Sequence, residues 1–258
     1  MNKKTGVILT CIIAVFALFV GISVWQRRAQ ETNNPDYGKY KLSVIKQLSS
    51  QNNYDVLDLH SILLASEASG NISENIIGDK NAPIVIYEYA DYQCGYCAQL
   101  NPLLNKIVED YNGKVAVVFR SYVLDYHDIN GVAAASAANA AGLQGYWKKY
   151  KDLLFANQND WFYSTSSKLQ QQLEDYFKEV SDGKADLEKF RNDMKSEDVA
   201  KKVAFDRGIG EKIKIGGTPW LYMDGEWISN KKSDEDNSGL SPLEYSKRVR
   251  NLIDQKLK

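Results

Sequence analysis

Two cysteines stand close together in the stretch Asp91-Tyr92-Gln93-Cys94-Gly95-Tyr96-Cys97. At the start of a helix this spacing puts them one turn apart, within the ~4.4–6.8 Å Cα separation that a disulfide allows. The pair can therefore switch between dithiol and disulfide. Unpaired backbone N–H groups and the positive end of the helix dipole favour a thiolate at Cys94, the reactive form in exchange chemistry. Cys97, one turn inside, is expected to be less exposed. A C-x-x-C can also supply half of a zinc site, which needs two more ligands. Only His60, His127 and the remote Cys11 are on offer. None falls in a ligand pattern, so no metal is expected; His127 reads as a cap on a helical segment and His60 as part of an apolar patch.

The elements that must hold this pair are legible in the pattern. Residues 84–89, Ile-Val-Ile-Tyr-Glu-Tyr, are β-branched and aromatic and follow Pro83, which suits the first position of a strand. The cysteines come directly after. Leu100, Leu103, Leu104, Ile107 and Val108 then recur at helical spacing over 98–111, up to Asn112-Gly113. A second strand is expected at 115–124, giving one βαβ unit with a parallel pair. Helical formers dominate 133–141, 146–155, 168–180 and 185–205, a helical insertion at about 125–207. After Gly208 and Gly210 the β signal returns at 213–215, followed by a hairpin at 220–228 around Asp224-Gly225. Ser241-Pro242-Leu243-Glu244 carries an N-cap, a proline at the first helical position and a capping-box glutamate, so a last helix begins there.

The chain's 258 residues hold 32 Lys+Arg, 33 Asp+Glu and 44% hydrophobic residues, an ordinary globular composition. A formal net charge of -1 offers no basic field for phosphate backbones, so no nucleic-acid partner is expected. Behind Lys3 and Lys4, residues 7–25 are apolar and supply about the ~20 residues that span a bilayer as a helix. The run exceeds the ~7–15 residues of a signal h-region and no A-x-A-like site follows, so it reads as an uncleaved anchor with Cys11 as a membrane-embedded thiol. Lys3 and Lys4 are matched by Arg27 and Arg28, which leaves orientation to the chemistry. Residues 30–79 are polar and Asn/Ser-rich, a stalk with one short amphipathic patch at 56–64. Asp234-Glu235-Asp236 lacks EF-hand spacing and reads as a solvated loop. Asn71-Ile72-Ser73 has the glycosylation tripeptide, a weak signal.

The stretch 84–113, with strand, C-x-x-C, long helix and Pro102 inside that helix, resembles the thioredoxin fold. Thr218-Pro219 matches the proline loop of that superfamily, which implies a cis peptide facing the redox pair. Glu88 coincides with the family's buried acid beneath the active site, where a carboxylate can accept or return a proton; the alternative is an exposed strand residue. The insertion, the lead-in Ile77-Gly78-Asp79-Lys80-Asn81-Ala82-Pro83 and the phrase Asp91-Tyr92-Gln93-Cys94 resemble the DsbA family of extracytoplasmic thiol:disulfide oxidoreductases.

The expected architecture is thus α/β, a thioredoxin-like fold with a helical insertion, preceded by an N-terminal transmembrane helix. Its parts are an anchor at 1–29, a stalk at 30–79 and a DsbA-like domain at 80–258. The resemblance implies a cell-membrane protein with its catalytic domain outside the cytoplasm, an enzyme that introduces disulfides into exported proteins. Catalytic roles fall to Cys94, Cys97 and Glu88, and substrate contacts to Thr218, Pro219, Tyr96, Gly95 and Trp220, with Tyr92 as a further rim residue. Partners are exported proteins with cysteine thiols and a membrane redox protein that reoxidises the pair; no cofactor is implied. Gly95-Tyr96 between the cysteines resembles the isomerase branch instead, so an isomerase or reductase stays open, as does a non-catalytic peptide-binding module.

Overall fold

The computed structural model describes residues 41–51, 62–233 and 238–258. Helix α1 (Leu42–Gln51) and strand β1 (Asn75–Ile77) come first. Strand β2 (Ile84–Ala90), helix α2 (Gly95–Asp110) and strand β3 (Val115–Ser121) then form the expected βαβ unit, with β2 and β3 parallel. The insertion comprises α3 (Asp128–Gly142), α4 (Trp147–Ala156), α5 (Gln158–Trp161), α6 (Ser166–Val180), α7 (Leu187–Met194) and α8 (Glu197–Lys212). A hairpin of β4 (Trp220–Met223) and β5 (Glu226–Ile228) and the closing helix α9 (Pro242–Lys256) complete the order.

The sheet runs β1-β3-β2-β4-β5. Side chains alternate across it. Ile84, Ile86 and Ala90 share one core with α2, α4 and α9, whereas Tyr87 and Tyr89 pack on the other face against Phe205 and Ile209 of α8. Glu88 has the parity of the first face, the one that carries the cysteine helix. Both faces are covered, which is why β2 and β3 read as near-continuous apolar runs.

Local signals act where expected at the hairpin and the last helix. Asp224 and Gly225 both take positive φ, 51° and 79°, the pair that a tight hairpin requires. Ser241 accepts from Glu244 N, and Glu244 returns a bond to Ser241 N, closing the capping box.

Several expectations change. Residues 30–79 contribute α1, which packs on α8, and β1, which pairs antiparallel with β3. The polar composition that suggested a stalk includes Glu74 and Asn75, both buried by specific partners. Residues 185–205 are not one helix, because Ser196 caps a new one by accepting from Val199 N at 3.2 Å. Helix α8 then runs through Gly208 and Gly210. A Cβ on Gly210 would lie 2.6 Å from the Tyr122 ring, so the glycine is there for close approach and not to stop the helix. Residues 213–215 are not a strand but the helix's Schellman end. Ile215 N bonds Gly210 O at 3.1 Å, Lys214 N bonds Glu211 O at 3.1 Å, and Lys214 has a φ of 57°.

Among the described residues no helix is long and apolar enough to cross a membrane. The anchor expected at 7–25, Cys11, His60 and Asp234-Glu235-Asp236 lie outside the described residues.

Candidate active site

Cys94 is the N-cap residue of α2, and Cys97 lies in its first turn with no exposed surface. Both are free thiols. The extended backbone of Cys94 (φ -78°, ψ 118°) and a bond from its N–H to Asp91 O at 3.0 Å set the thiol at the helix mouth. Pro102 sits inside the same helix.

The second wall comes from far along the chain. The Thr218-Pro219 peptide is cis, and Cys94 in its thiol form donates from Sγ to Thr218 O at 3.3 Å. Pro219 is buried and Thr218 half-buried. Thr218 Oγ1 is buried.

The two thiols diverge in acidity. Hydrogen bonding from the Cys97 side chain, then the Thr218 side chain and the N–H groups of Cys97 and Tyr96, pull Cys94 down to about 6 against the cost of burial. Burial, reinforced by the neighbouring Cys94 and Glu88 charges, pushes Cys97 well above the usual thiol range. At neutral pH the outer sulfur is therefore a thiolate and the inner one a thiol. Alkylation of Cys94 by iodoacetamide is expected to rise with pH around a midpoint near 6. Thr218→Val removes one of the groups that favour the thiolate, so the midpoint moves upward. A midpoint left near the ordinary ~8.5 in the native protein contradicts this geometry.

Glu88 lies beneath the pair with no exposed side chain to speak of. Burial, opposed by Lys151 and reinforced by Cys94 and Asp152, raises its carboxyl to about 7. One of its oxygens, Oε1, has no hydrogen-bond partner among the described residues. The exposed-strand alternative for Glu88 is thereby excluded.

The predicted substrate contacts divide. Gly95 is exposed and Tyr96 is 54% exposed, both at the mouth beside Cys94 and Thr218-Pro219. Trp220 follows Pro219 in sequence but points to the sheet face opposite Glu88, where it stacks on Trp227 at 4.5 Å. The period of the strand decides this, since Leu221, not Trp220, is the register partner of Glu88. Tyr92 is likewise no rim residue: it is buried and stacks on Phe155 at 5.1 Å.

Other residues were not legible as site residues. His127 occupies the N-cap position of α3 without a side-chain cap bond. Its Nδ1 instead lies 2.9 Å from Asp91 Oδ2, a buried carboxylate that also accepts from Gln93 N and Leu124 N. Tyr126, 77% exposed, packs edge-on against the His127 ring, and Phe162 meets the same ring edge-on at 5.6 Å. Gln93 and Asn130 both donate to Phe162 O, so the insertion presents this aromatic edge on a fixed loop. The Asp-to-His separation in sequence carries no local signal. Lys151 did leave one: it shares the apolar stripe of α4 with Trp147, Leu154 and Phe155.

A family model described as Thioredoxin matches residues 71–240, and the chain belongs to that family. Its structural neighbours are DsbA-like oxidoreductases. Oxidised BdbD from Bacillus subtilis superposes with a TM-score of 0.58 at 20% identity, over 77% of this chain and 98% of that one. Wolbachia pipientis alpha-DsbA1 gives 0.54 at 22% identity, over 70% and 89%. These likenesses show the fold, a thioredoxin-like α/β sheet with a helical insertion.

Among curated sequences, the probable disulfide bond formation protein D of Bacillus cereus is 27% identical over 157 residues, 59% of this chain and 71% of that protein. The Na(+)/H(+) antiporter NhaA 3 of Salinispora tropica is 28% identical over 153 residues. That match covers 59% of this chain but only 22% of the antiporter's length.

Proposed function

We propose that the chain is an extracytoplasmic thiol:disulfide oxidoreductase that introduces disulfides into exported proteins through Cys94 and Cys97. The observation that carries the reading is the arrangement of the two sulfurs. One stands at a helix mouth 3.3 Å from Thr218 O, and the other is buried a turn below it.

In the oxidised protein a client thiolate attacks Cys94 Sγ. A client–Cys94 disulfide forms, the Cys94–Cys97 bond breaks, and Cys97 leaves with the electron pair. Glu88 in its acid form returns a proton to Cys97, whose burial makes it a poor thiolate. The client's second thiolate then attacks its own sulfur in the mixed disulfide, and Cys94 departs as a thiolate. A leaving group held near 6 suits that last step. Thr218, Pro219, Gly95 and Tyr96 border the place where an extended client segment would lie, and main-chain pairing there tolerates many sequences. A membrane redox protein would remove the two electrons from the reduced pair. The anchor at 1–29 would hold the redox domain in the same plane.

The direction of electron flow can be weighed. A thiol near 6 instead of 9 stabilises the reduced protein at pH 7 by about 1 kcal/mol, a shift of a few tens of mV for two electrons. The sign is oxidising, because a stabilised thiolate favours handing the disulfide on. This gain is complete above the ordinary thiol range and lost as pH falls through 6.

The test is the reduction potential of the full chain in detergent, equilibrated in glutathione buffers with the Cys94–Cys97 disulfide quantified. A value at or above ~-180 mV supports a disulfide donor, and one near ~-270 mV reverses the flow to a reductase or isomerase. The isomerase reading keeps the Gly95-Tyr96 dipeptide and Thr218 before the cis-proline in its favour.

A further inference from the structure

The turn that delivers Cys94 to the helix mouth is built on one buried carboxylate. Asp91 comes directly after β2 and has no exposed surface. Its Oδ1 accepts from Gln93 N at 2.8 Å, and its carbonyl accepts from Cys94 N at 3.0 Å. Its own N–H opposes the burial that raises Cys97. One residue thus reaches both cysteines through its main chain, and its side chain fixes where that main chain lies.

The other oxygen, Oδ2, is held from the start of the insertion. It accepts from Leu124 N at 2.6 Å and lies 2.9 Å from His127 Nδ1, on a side chain only 11% exposed. A carboxylate can only accept, so Nδ1 carries the proton of this contact in either charge state of the ring. Asp125, the other acid of the loop, is taken up by Arg207 at 2.8 Å and Lys46 at 2.7 Å. His127 is the one side-chain donor to Asp91 among the described residues. These parts have little slack: a Cβ on Gly131 of α3 would lie 2.8 Å from Val123 Cγ1, 3.2 Å from Gln93 Oε1 and 3.3 Å from His127 Cβ. A displacement at His127 is therefore passed to the cysteine turn.

A buried negative charge behind Cys94 opposes a thiolate there, and hydrogen bonds to that charge weaken the opposition. Burial, followed by the charges of Cys94, Asp91 and Cys97, raises the Tyr126 hydroxyl, so the carboxylate and both sulfurs share one electrostatic neighbourhood. Glu88 faces Cys94 from β2 as well. His127 is faced by Asp91 from the turn after β2, by Tyr126 from its own loop and by the uncharged Phe162 ring from the end of α5. Of the three bonds to the Asp91 carboxylate, two come from main-chain N–H groups and the third from His127.

We propose that His127 is a positioning residue for the exchange reaction, donating to Asp91 so that the turn aims Cys94 and the carboxylate behind it stays screened. The inference rests on the exchange reading above and extends control of the outer thiol to the insertion.

The experiment follows alkylation of Cys94 by iodoacetamide against pH in the reduced full chain, read on the peptide that carries this cysteine, together with the equilibrium against glutathione. The native midpoint is expected near 6. His127→Phe keeps a ring against Tyr126 and Phe162 and removes the donor, so the midpoint rises by about one unit. The thiolate then stabilises the reduced protein less, and the equilibrium constant for its oxidation of glutathione at pH 7 falls about fivefold. His127→Asn loses the ring but sets an amide N–H where Nδ1 stood, and its midpoint stays near the native one. In an Asp91→Asn background His127→Phe adds no further shift, because the charge it acted on is gone.

An unmoved midpoint in His127→Phe overturns the proposal and leaves the histidine a purely structural part, whatever happens to Tm. An equal rise in His127→Asn overturns it too, since ring packing and not the donor would then be responsible. If His127→Phe does not fold, His127→Gln carries the same expectation, because its amide reaches one bond beyond the Nδ1 position; equal midpoints for the Asn and Gln variants then decide against the donor. A native midpoint near the ordinary ~8.5 strikes the exchange reading and not the histidine.

Discussion

Cys97→Ala is expected to accumulate client proteins joined to Cys94, while Cys94→Ala abolishes exchange altogether. Cys94 is the sulfur at the helix mouth, beside the Thr218-Pro219 peptide, and the only one of the pair with exposed surface. Without it no external thiolate has a sulfur to attack, and activity falls to the uncatalysed background. Without Cys97 the first attack still occurs, on a mixed disulfide supplied from outside, and a client with no second thiol in reach stays attached, because the internal resolving thiol is gone. Intramolecular attack by a well-placed group outruns attack from solution by large factors, so adduct lifetimes lengthen by at least ~10³-fold. Non-reducing electrophoresis of membranes from cells expressing the variant displays the adducts, and their loss on reduction identifies the bond. If neither variant differs from the native protein and client binding survives Cys94→Ala, the cysteines form a static bond and the peptide-binding reading takes over.

Glu74→Gln is expected to cost stability on the largest scale available to a single residue here. Glu74 lies within a buried set of four charges. Arg120 donates to its Oε1 from Nη2 at 2.6 Å and from Nε at 3.0 Å, and Lys202 reaches its Oε2 at 3.2 Å. Lys202 also contacts Asp206 at 2.5 Å, and Asp206 accepts from Ser121 N at 3.1 Å. Arg120 closes the far side by donating to Tyr89 at 2.8 Å. Two positive and two negative charges balance in a dry interior. The amide keeps the volume and removes one negative charge, leaving two cations against Asp206. Breaking such a buried pairing costs about 3–5 kcal/mol. For a domain of this size that lowers Tm by roughly 6–20 °C. The active-site thiols lie on the other sheet face, so the midpoint of Cys94 alkylation should stay near 6. A Tm shift below about 2 °C would mean that the cluster is not what ties residues 74–77 to the sheet.

The site was legible where its signals are local. A β-branched strand, a C-x-x-C at the following helix mouth and an apolar repeat beyond it define the βαβ unit from residues 84 to 121, because each signal acts over a few neighbours. The same holds for Asp224-Gly225, which supplies the backbone a tight hairpin needs, and for the Ser241 capping box.

What the sequence alone determined about this protein is therefore the redox pair, its strand-to-helix setting and the presence of a helical insertion. The tertiary structure decided the rest. Thr218 comes to Cys94 across 124 residues, and no local periodicity reports a contact of that length. Glu88 is a buried acid because α2, α4 and α9 cover its face; its strand would read the same with that face open to water. Trp220 turned away from the site because one step along a strand changes the face. Glu74 and Lys151 are polar residues whose burial depends on partners supplied elsewhere, Arg120 and Lys202 for one, Asn101 and Asp152 for the other. Charge is legible in a sequence, but whether water or a buried counter-charge surrounds it depends on which elements the fold brings together.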